Sequence, residues 1–426
     1  GLSGQSVVKF FKKNNIKNYE VWDDKKKKLF KDRRAKNLKE TLDKVDYIVL
    51  SPGINLIDKK MTESKDKLGE LRQKIDQIDA DILTLINNRA KCALEVAEVK
   101  QQESGDVAPV YYRPEREAQV LRTIASLNKG PLSNEKVTQV YRQIISACLA
   151  LEEPLKVAYL GPEGTFTQLA TLKQFGLSVI GQPMVTVDDV FREVAAENCH
   201  YGVVPVENST EGVVSHTLDN FLSSTLRVCG EVELRIHHHL MISPGASPDK
   251  ITKIYAHQQT LGQCRRWLDG HYPKVPRLTA TSNAEAARKV LEETDAAAIA
   301  GEIAAETYGL EVLSKKIEDE SDNTTRFIVV GREAIGPSGK DKTSIMVSTH
   351  NQPGALYKLL EPFHRHGVSL TSIETRPSRT GMWSYVFFID FEGHSEDEAV
   401  KTVLSEIDSD ALEVKMLGSY PRALNS

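Results

Sequence analysis

The sequence of 426 residues predicts a multidomain protein that combines an all-α domain, a two-lobed α/β domain and a small α+β domain. Between residues 71 and 151, apolar residues recur every three or four positions, as they do along amphipathic helices. From residue 157, apolar runs of four or five residues alternate with helical patterns, which is typical of an α/β class with parallel strands. Beyond Pro337 the predicted order becomes strand, helix, strand, strand, helix, strand.

The composition narrows the class of protein before any motif is considered. The chain is long enough for three domains, and its 40% apolar content is ordinary for a globular protein. No run of about 18 apolar residues is present, so we expect no membrane span. The five cysteines are scattered without a CxxC pair, which argues against a disulfide framework or a zinc site and favours a cytosolic location.

Residues 1–60 are basic, with 14 Lys and 2 Arg against 8 Asp and Glu. Because no aromatic residues interleave the lysine run at 25–28, we interpret it as a solvated face and expect no nucleic-acid partner. Predicted strands and the turn Ser51-Pro52-Gly53-Ile54 resemble about half of the Rossmann-like nucleotide-binding domain of the Mur ligases that add D-glutamate. The other ligase domains are missing, so we expect no ligase activity. Met61 is the first methionine, and we expect residues 1–60 to be a fusion or assembly remnant preceding a natural start there.

Residues 62–153 are predicted to form three helices. The first carries an apolar stripe and continues to about residue 101, because no Gly or Pro interrupts it earlier. Pro114 begins the second helix, and Ser133 can cap the third. The stripe consists of Leu71, Ile75, Ile78, Ile82 and Leu85. Three helices, one of them about 30 residues long, make a poor monomeric core, so we expect a dimer.

The spacing of the basic residues along the first helix determines which of them can serve the same binding pocket. Arg89 and Lys100 lie 11 residues apart, which is about three full turns, so they share one face. Arg72 precedes Arg89 by 17 residues, which places it roughly 260° around the helix and about 25 Å away. Arg72 therefore cannot serve the same pocket within one subunit.

This spacing, together with Leu71 to Asp76, Asn88-Arg89 and Pro114 to Glu117, resembles the all-helical chorismate mutase family. The resemblance implies intertwined subunits in which Arg72 reaches the partner's site. It further implies that Arg72, Arg89 and Arg116 hold carboxylates, that Glu117 holds a ring hydroxyl and that Lys100 donates to the breaking ether oxygen. Cys148 and Glu152 stand where the best-known members have serine and glutamine. Only protonated Glu152 can donate to the ether oxygen, so we predict a mutase that is favoured at mildly acid pH.

Three polar clusters mark residues 155–333. The first is the turn at 161–166, the second follows a predicted strand at 201–206, and the third, Asp-Asn-Thr-Thr-Arg at 322–326, precedes a predicted strand at 327–330. Further strands are predicted at 254–257 and 296–300. Taken alone, the composition of the third cluster favours a solvated loop before a strand. Because polar residues at strand ends form ligand sites in open α/β sheets, the three clusters together predict a cleft.

The clusters, with Val-Pro-x-Glu-Asn-Ser at 204–209 and the closing Thr-Arg-Phe, resemble the prephenate dehydratase family. That family folds as two Rossmann-like lobes with the site between them. Its essential hydroxyl belongs to the threonine before Arg-Phe, so the resemblance implies that Thr325 assists the leaving hydroxyl. By the same resemblance, substrate binding or cleft shaping falls to Thr165, Asn208, Ser209, Thr210 and Arg326. Glu207 is either an acid or an anchor, and Arg326 either contacts substrate or braces its loop. The chemistry requires no metal or cofactor, so we interpret His237, His238 and His239 as structural.

The segment at 341–420 follows a linker at Pro337 to Lys340, and its predicted βαββαβ order is the ferredoxin-like arrangement. Pro353-Gly354-Ala355-Leu356 and Ile373-Glu374-Thr375-Arg376-Pro377 resemble the two effector motifs of the ACT domains of prephenate dehydratases. The resemblance implies that paired domains bind L-phenylalanine through Gly354, Ala355, Leu356, Glu374 and Arg376, and that the effector inhibits the enzyme.

The resemblances together imply a cytoplasmic bifunctional enzyme without a cofactor. It would convert chorismate to prephenate and prephenate to phenylpyruvate, and it would form homo-oligomers through the mutase and ACT domains. The competing interpretation is a non-catalytic amino-acid sensor whose lobed domain only binds its ligand. Thr325 and the nearly complete mutase constellation argue against that interpretation.

Overall fold

The computed structural model describes residues 59–104, 112–349, 352–377 and 385–423. The ligase-like segment predicted at 1–60 lies outside these residues, except for the two that begin the first helix. The chain divides into two compact units, Gly1–Leu85 and Ile86–Ser426.

The all-α prediction for the first domain is confirmed by the helices α1 (Lys59–Ser104), α2 (Pro114–Leu127) and α3 (Asn134–Glu152). Pro114 opens α2, and the Ser133 side chain caps α3 by accepting from the Lys136 N–H. Within the first unit, the predicted stripe from Leu71 to Leu85 is exposed. In a single chain this apolar face of α1 is therefore exposed to solvent.

The first lobe is built around one mixed sheet. Its elements before the chain leaves the lobe are β1 (Lys156–Leu160), α4 (Phe166–Phe175), β2 (Ile180–Met184), α5 (Val187–Ala195), β3 (Tyr201–Asn208), β4 (Gly212–Val213), α6 (Ser215–Phe221) and β5 (Arg227–Arg235).

The second lobe contains a five-stranded sheet. Its elements are β6 (His239–Ile242), a 3₁₀ turn at Pro248–Lys250, β7 (Lys253–His257), α7 (Gln258–Gln263), α8 (Arg265–His271), β8 (Arg277–Ala280), α9 (Asn283–Val290), β9 (Ala296–Ala300), α10 (Glu302–Tyr308) and β10 (Glu311–Ser314). The chain then returns to the first lobe as β11 (Thr324–Gly331).

The strand directions correct one prediction. The first sheet runs β2-β1-β3-β11-β5, with β4 on β3, and the second runs β10-β6-β9-β7-β8. Strands β1 to β3 pair in parallel, and β7 pairs in parallel with β8 and β9, as predicted. The returning strand β11 instead pairs antiparallel with β3 and β5, and β6 pairs antiparallel with β9 and β10. Buried apolar runs do not reveal strand direction, which explains the error.

The last domain has the predicted order, with β12 (Asp341–Ser348), α11 (Ala355–Arg365), β13 (Leu370–Pro377), β14 (Tyr385–Glu392), α12 (Glu398–Asp410) and β15 (Glu413–Pro421). Its sheet runs β13-β14-β12-β15. One face packs against α11 and α12, and the other shares a hydrophobic core with the first lobe. In that shared core Phe388 and Tyr420 join Phe221 and Ile328.

The linker between the lobed domain and the last domain is held in place by α2. The Arg122 guanidinium donates to the Ser338 carbonyl and hydroxyl at 2.9 and 2.8 Å and to the Lys340 carbonyl at 2.8 Å. Helix α2 therefore fixes the path of the chain into the last domain. None of the helices in the described ranges has both the length and the apolar character needed to cross a bilayer.

Candidate active site

The polar residues after β3 and at the start of β11 lie on adjacent antiparallel strands. Both strands extend further than predicted, so that Glu207, Asn208, Thr325 and Arg326 are strand residues. Thr325 pairs in register with Asn208, and Arg326 pairs with Glu207. Because side chains alternate along a strand, the two pairs face opposite sides of the sheet.

The Asn208 amide is held in one orientation. Its Oδ1 accepts from the Thr210 and Glu211 N–H groups, both at 3.0 Å, so its Nδ2 must be the donor on the other side. That Nδ2 donates to Thr325 Oγ1 at 2.7 Å and to Asn323 Oδ1 at 2.9 Å. The Thr325 oxygen is therefore an acceptor for this amide, and the Thr325 O–H points away from it.

Two predicted site residues brace this pair. The Ser209 N–H donates to the Thr324 carbonyl and the Ser209 hydroxyl accepts from the Thr324 N–H, both at 2.9 Å. The Thr210 hydroxyl donates to Asn323 Oδ1 at 3.2 Å. These bonds fasten the start of β11 to the end of β3 and set the position of Thr325.

Arg326 and Glu207 point to the other side, toward the last domain. The Arg326 guanidinium donates to Asp390 of β14 at 2.6 Å, and Glu207 and Glu231 each lie 3.5 Å from it. Glu231 is buried and also pairs with Lys342 of β12 at 2.8 Å. A cavity of about 30 Å³ lies between the two sheets here. The structure thus does not bring Arg326 or Glu207 together with Thr325.

The turn at 161–166 of the first lobe packs against the second lobe. Thr165 caps α4, accepting from the Gln168 N–H at 3.3 Å and donating to the Leu160 carbonyl at 3.2 Å. Gly164 has φ +81°, and a Cβ there would meet the Tyr308 ring at 2.9 Å. Only glycine allows α10 to approach this closely.

Further polar side chains, of which the sequence did not single out Gln263, complete the junction between the lobes. Asn323 Nδ2 donates to Gln263 Oε1 at 3.2 Å, and His238 Nε2 lies 2.8 Å from the same oxygen. Gln263 Nε2 lies 3.4 Å from the Glu211 carboxylate. Asn323 belongs to the third cluster and Glu211 to the second, but Gln263 lies in an ordinary helical pattern that gave no signal.

The histidine run separates into different environments. His237 Nδ1 lies 2.7 Å from Glu318, while His238 and His239 are buried. Burial lowers the pKa of both His238 and His239. In the described part of the chain, no cluster of three His, Cys, Asp or Glu side chains could hold a metal ion.

The helical domain gathers part of the predicted mutase set. Arg89 and Lys100 are half-buried on one face of α1, and both interact electrostatically with Glu152 at the end of α3. Burial raises the pKa of Glu152, and the two cations offset part of that rise. Cys148, one turn before Glu152, is buried.

The other predicted mutase residues lie in different settings. Arg72, in the first unit, is exposed, and so is Arg116 on α2. Glu117 is buried, and its carboxylate accepts from Arg142 Nε at 3.1 Å. Burial raises the pKa of Glu117.

The predicted effector residues divide between two places. Gly354, with φ +82°, forms the N-cap of α11 and is followed by Ala355 and Leu356. Arg376 reaches the first lobe and makes a bidentate pair with Asp219 at 2.9 and 3.0 Å. Glu374 lines the cavity between the sheets, and burial and then the nearby Glu207 raise its pKa.

Comparison with known families gives three matches in chain order. Residues 71–153 match chorismate mutase type II, residues 157–335 match prephenate dehydratase, and residues 343–409 match the ACT domain.

Individual proteins resemble the chain over most of its length. A bifunctional chorismate mutase/prephenate dehydratase of Pseudomonas aeruginosa is 58% identical over 84% of this chain and 99% of its own. One from Aquifex aeolicus is 46% identical over the same shares. The crystal structure of the Arthrobacter aurescens prephenate dehydratase with L-Phe superposes with a TM-score of 0.59 at 35% identity, covering 63% of this chain and 90% of that one.

Proposed function

Because the chain belongs to the family of bifunctional chorismate mutase/prephenate dehydratases, we propose roles for its own residues in each of the two reactions. The enzyme converts chorismate to prephenate and prephenate to phenylpyruvate, and L-phenylalanine inhibits it by feedback. The observation that carries the assignment of the second site is the 2.7 Å hydrogen bond from the oriented Asn208 amide to Thr325.

The mutase reaction needs only a bound, compact substrate and a donor to the ether oxygen. Arg89 holds a substrate carboxylate, Lys100 donates to the ether oxygen, and protonated Glu152 donates beside it. Their mutual proximity supports these roles. Arg72 of a second subunit and Arg116 hold the remaining carboxylate charge. Glu117 accepts a hydrogen bond from the ring hydroxyl. Its carboxylate would then have to bind both that hydroxyl and Arg142.

We expect mutase activity to fall as the pH rises. Burial raises the pKa of Glu152, so its protonated, donating form persists below that raised pKa. Above it the carboxylate repels the ether oxygen, and activity should drop about tenfold per pH unit. In Glu152→Gln the donor is permanent, so the decline should disappear from a pH profile of mutase kcat/KM.

The exposed neighbour Glu153 provides the matched control. Glu153→Gln removes the same charge at the next position and should leave the wild-type profile in place. A Glu152→Gln enzyme that keeps the wild-type decline would contradict the assignment.

In the dehydratase reaction, the ring carboxylate departs as CO₂ and its bonding electron pair completes the aromatic ring. The ring hydroxyl departs as water and requires one proton. Thr325 passes a proton from its O–H to the departing hydroxyl and regains one from water, since its oxygen is fixed by Asn208 and its hydrogen points elsewhere. Asn208 holds Thr325, Ser209 and Thr210 brace it, and Thr165 shapes the turn of the opposite wall. Glu207 is an anchor rather than an acid.

The effector site combines the N-terminus of α11, at Gly354 to Leu356, with β13 of a second subunit. We expect added L-phenylalanine to lower dehydratase activity in a titration. Gly354→Ala forces an L residue into a left-handed backbone conformation, which costs about 1–2 kcal/mol. It should raise the half-inhibitory concentration roughly tenfold.

Gly367 offers a control in the same domain, because its φ is +66° and a Cβ there would contact nothing within 4 Å. Gly367→Ala carries the same backbone strain away from the effector motif and should keep the wild-type response. Equal changes in the two variants would mean that Gly354 acts only through stability.

The enzyme works as a homodimer in the cytoplasm. The exposed stripe of α1 and the edge strand β13 are the two surfaces that would be covered by a second subunit. The five cysteines are free thiols, which suits a reducing compartment. The lobes are Rossmann-like and the last domain is ferredoxin-like in our proposal, which rests on the order and pairing of their strands.

A further inference from the structure

His238 lies where the chain first crosses from one lobe to the other, between β5 and β6. It is 2% exposed and contacts residues from both lobes. Its Nε2 lies 2.8 Å from Gln263, and the Phe166 ring of the 161–166 turn stands edge-on at 5.6 Å between centroids. The neighbouring backbone is fixed as well, since the His238 carbonyl accepts from the Ile317 N–H.

The hydrogen-bond network determines which ring nitrogen of His238 carries the proton. Gln263 Nε2 faces the Glu211 carboxylate, which can only accept, so Gln263 Oε1 faces Asn323 Nδ2 and His238. An amide oxygen can only accept, so His238 Nε2 must be the donor. Asn208, oriented independently by backbone N–H groups at the other end of the network, gives Asn323 the same direction.

The remaining nitrogen of His238 is therefore the accepting lone pair of a neutral imidazole. This Nδ1 is buried and has no hydrogen-bond partner among the described residues. Burial also lowers the pKa of His238, which favours the neutral form at neutral pH. A buried acceptor without a donor is costly to a folded protein, so this Nδ1 calls for a partner.

We propose that His238 is a substrate-binding residue of the dehydratase, whose Nδ1 accepts a hydrogen bond from the ring hydroxyl of prephenate. The proposal rests on the assignment of Thr325 to that hydroxyl. The substrate hydroxyl has one hydrogen to give and lone pairs to offer. When His238 takes the hydrogen, a lone pair of the hydroxyl is left for the Thr325 O–H, and the proton can pass in the productive direction.

A matched pair of substitutions separates binding from bracing. In His238→Asn, the side-chain oxygen replaces the accepting Nδ1 and the bond to Gln263 is lost. In His238→Gln, the longer amide retains the bond to Gln263 and loses the acceptor. We expect dehydratase kcat/KM to fall about 10- to 100-fold in His238→Gln and less in His238→Asn. A histidine that only braces Gln263 would give the opposite order.

Binding of a non-reacting analogue tests the contact itself. The probe is a prephenate analogue with a methylene group in place of the hydroxyl-bearing carbon. Calorimetry measures the binding of this analogue and of prephenate to Thr325→Ala enzyme, and the two affinities are compared. His238→Gln in the Thr325→Ala background should weaken prephenate binding and leave analogue binding unchanged. Equal weakening of both ligands would overturn the proposal.

His237 is the control, because its Nδ1 already pairs with Glu318. His237→Gln should affect prephenate and the analogue alike. Mutase turnover by the same samples reports whether each variant is folded. If Thr325→Ala still converts prephenate, the role of Thr325 is refuted and calorimetry with prephenate no longer measures binding. The order of dehydratase kcat/KM in His238→Gln and His238→Asn, measured with Thr325 in place, then still tests the His238 contact.

Discussion

Thr325→Ala is expected to lower dehydratase kcat by about 10²- to 10⁴-fold while mutase activity stays at the wild-type level, because the proton for the leaving hydroxyl then has no donor. Supplied with chorismate, the variant should accumulate prephenate, whereas the wild-type enzyme should release phenylpyruvate. Following both products in one assay separates the two reactions. Thr325→Ser keeps the hydroxyl and should recover most of the activity.

Thr324 is the matched control for this experiment. It is the preceding residue of β11, and its hydroxyl is bound to the Asp322 carbonyl on the exposed side. Thr324→Ala removes an equal group from the same strand and should leave dehydratase turnover nearly unchanged. If both alanine variants lost activity equally, the strand itself rather than the Thr325 hydroxyl would account for the loss.

Lys100→Met is expected to reduce mutase kcat by about 10²- to 10³-fold, because it removes the cation that stabilises charge on the breaking ether oxygen. Dehydratase activity should be unaffected. The same substitution should move the pH profile, since Lys100 lowers the pKa of Glu152. Without Lys100 that pKa rises further, so the decline of the residual activity should shift to higher pH.

Lys91 lies on the same helix and is exposed, which makes Lys91→Met the control. It removes the same charge and should leave both the rate and the pH profile as they are. A Lys100→Met enzyme with lower kcat but an unshifted profile would show that Lys100 and Glu152 do not act on one another in the working site.

Apolar runs in the sequence predicted the central parts of the strands. The polar residues at the strand ends could not be predicted in this way. The predicted strand at 327–330 begins three residues earlier, at Thr324, because Thr325 and Arg326 continue the ladder with Asn208 and Glu207. The sequence presents these four residues as two continuous motifs. Once they are in strands, alternation sends Thr325 and Asn208 to the lobe junction and Arg326 and Glu207 to the opposite face. No motif reveals that division before the register is known.

Gln263 and His238 illustrate a second limit. Each lies in the second lobe or at its entrance, far in sequence from the residues that it bonds. Their importance comes from the chain leaving the first lobe after β5 and returning as β11, which brings residues 208, 238, 263 and 323 together. The separate environments of the three histidines also depend on this crossing, which strand geometry alone does not reveal.

The core shared by the first lobe and the last domain bears on how this protein can be re-engineered. A chimera that takes its regulatory domain from another protein must also supply partners for Arg326 and Glu231, which here are Asp390 and Lys342. Removing one partner of either ion pair would leave a buried charge unpaired, at a cost of about 3–5 kcal/mol. The unit that can be exchanged is therefore the regulatory sheet together with the outer faces of β11 and β5, and not the segment that follows the linker.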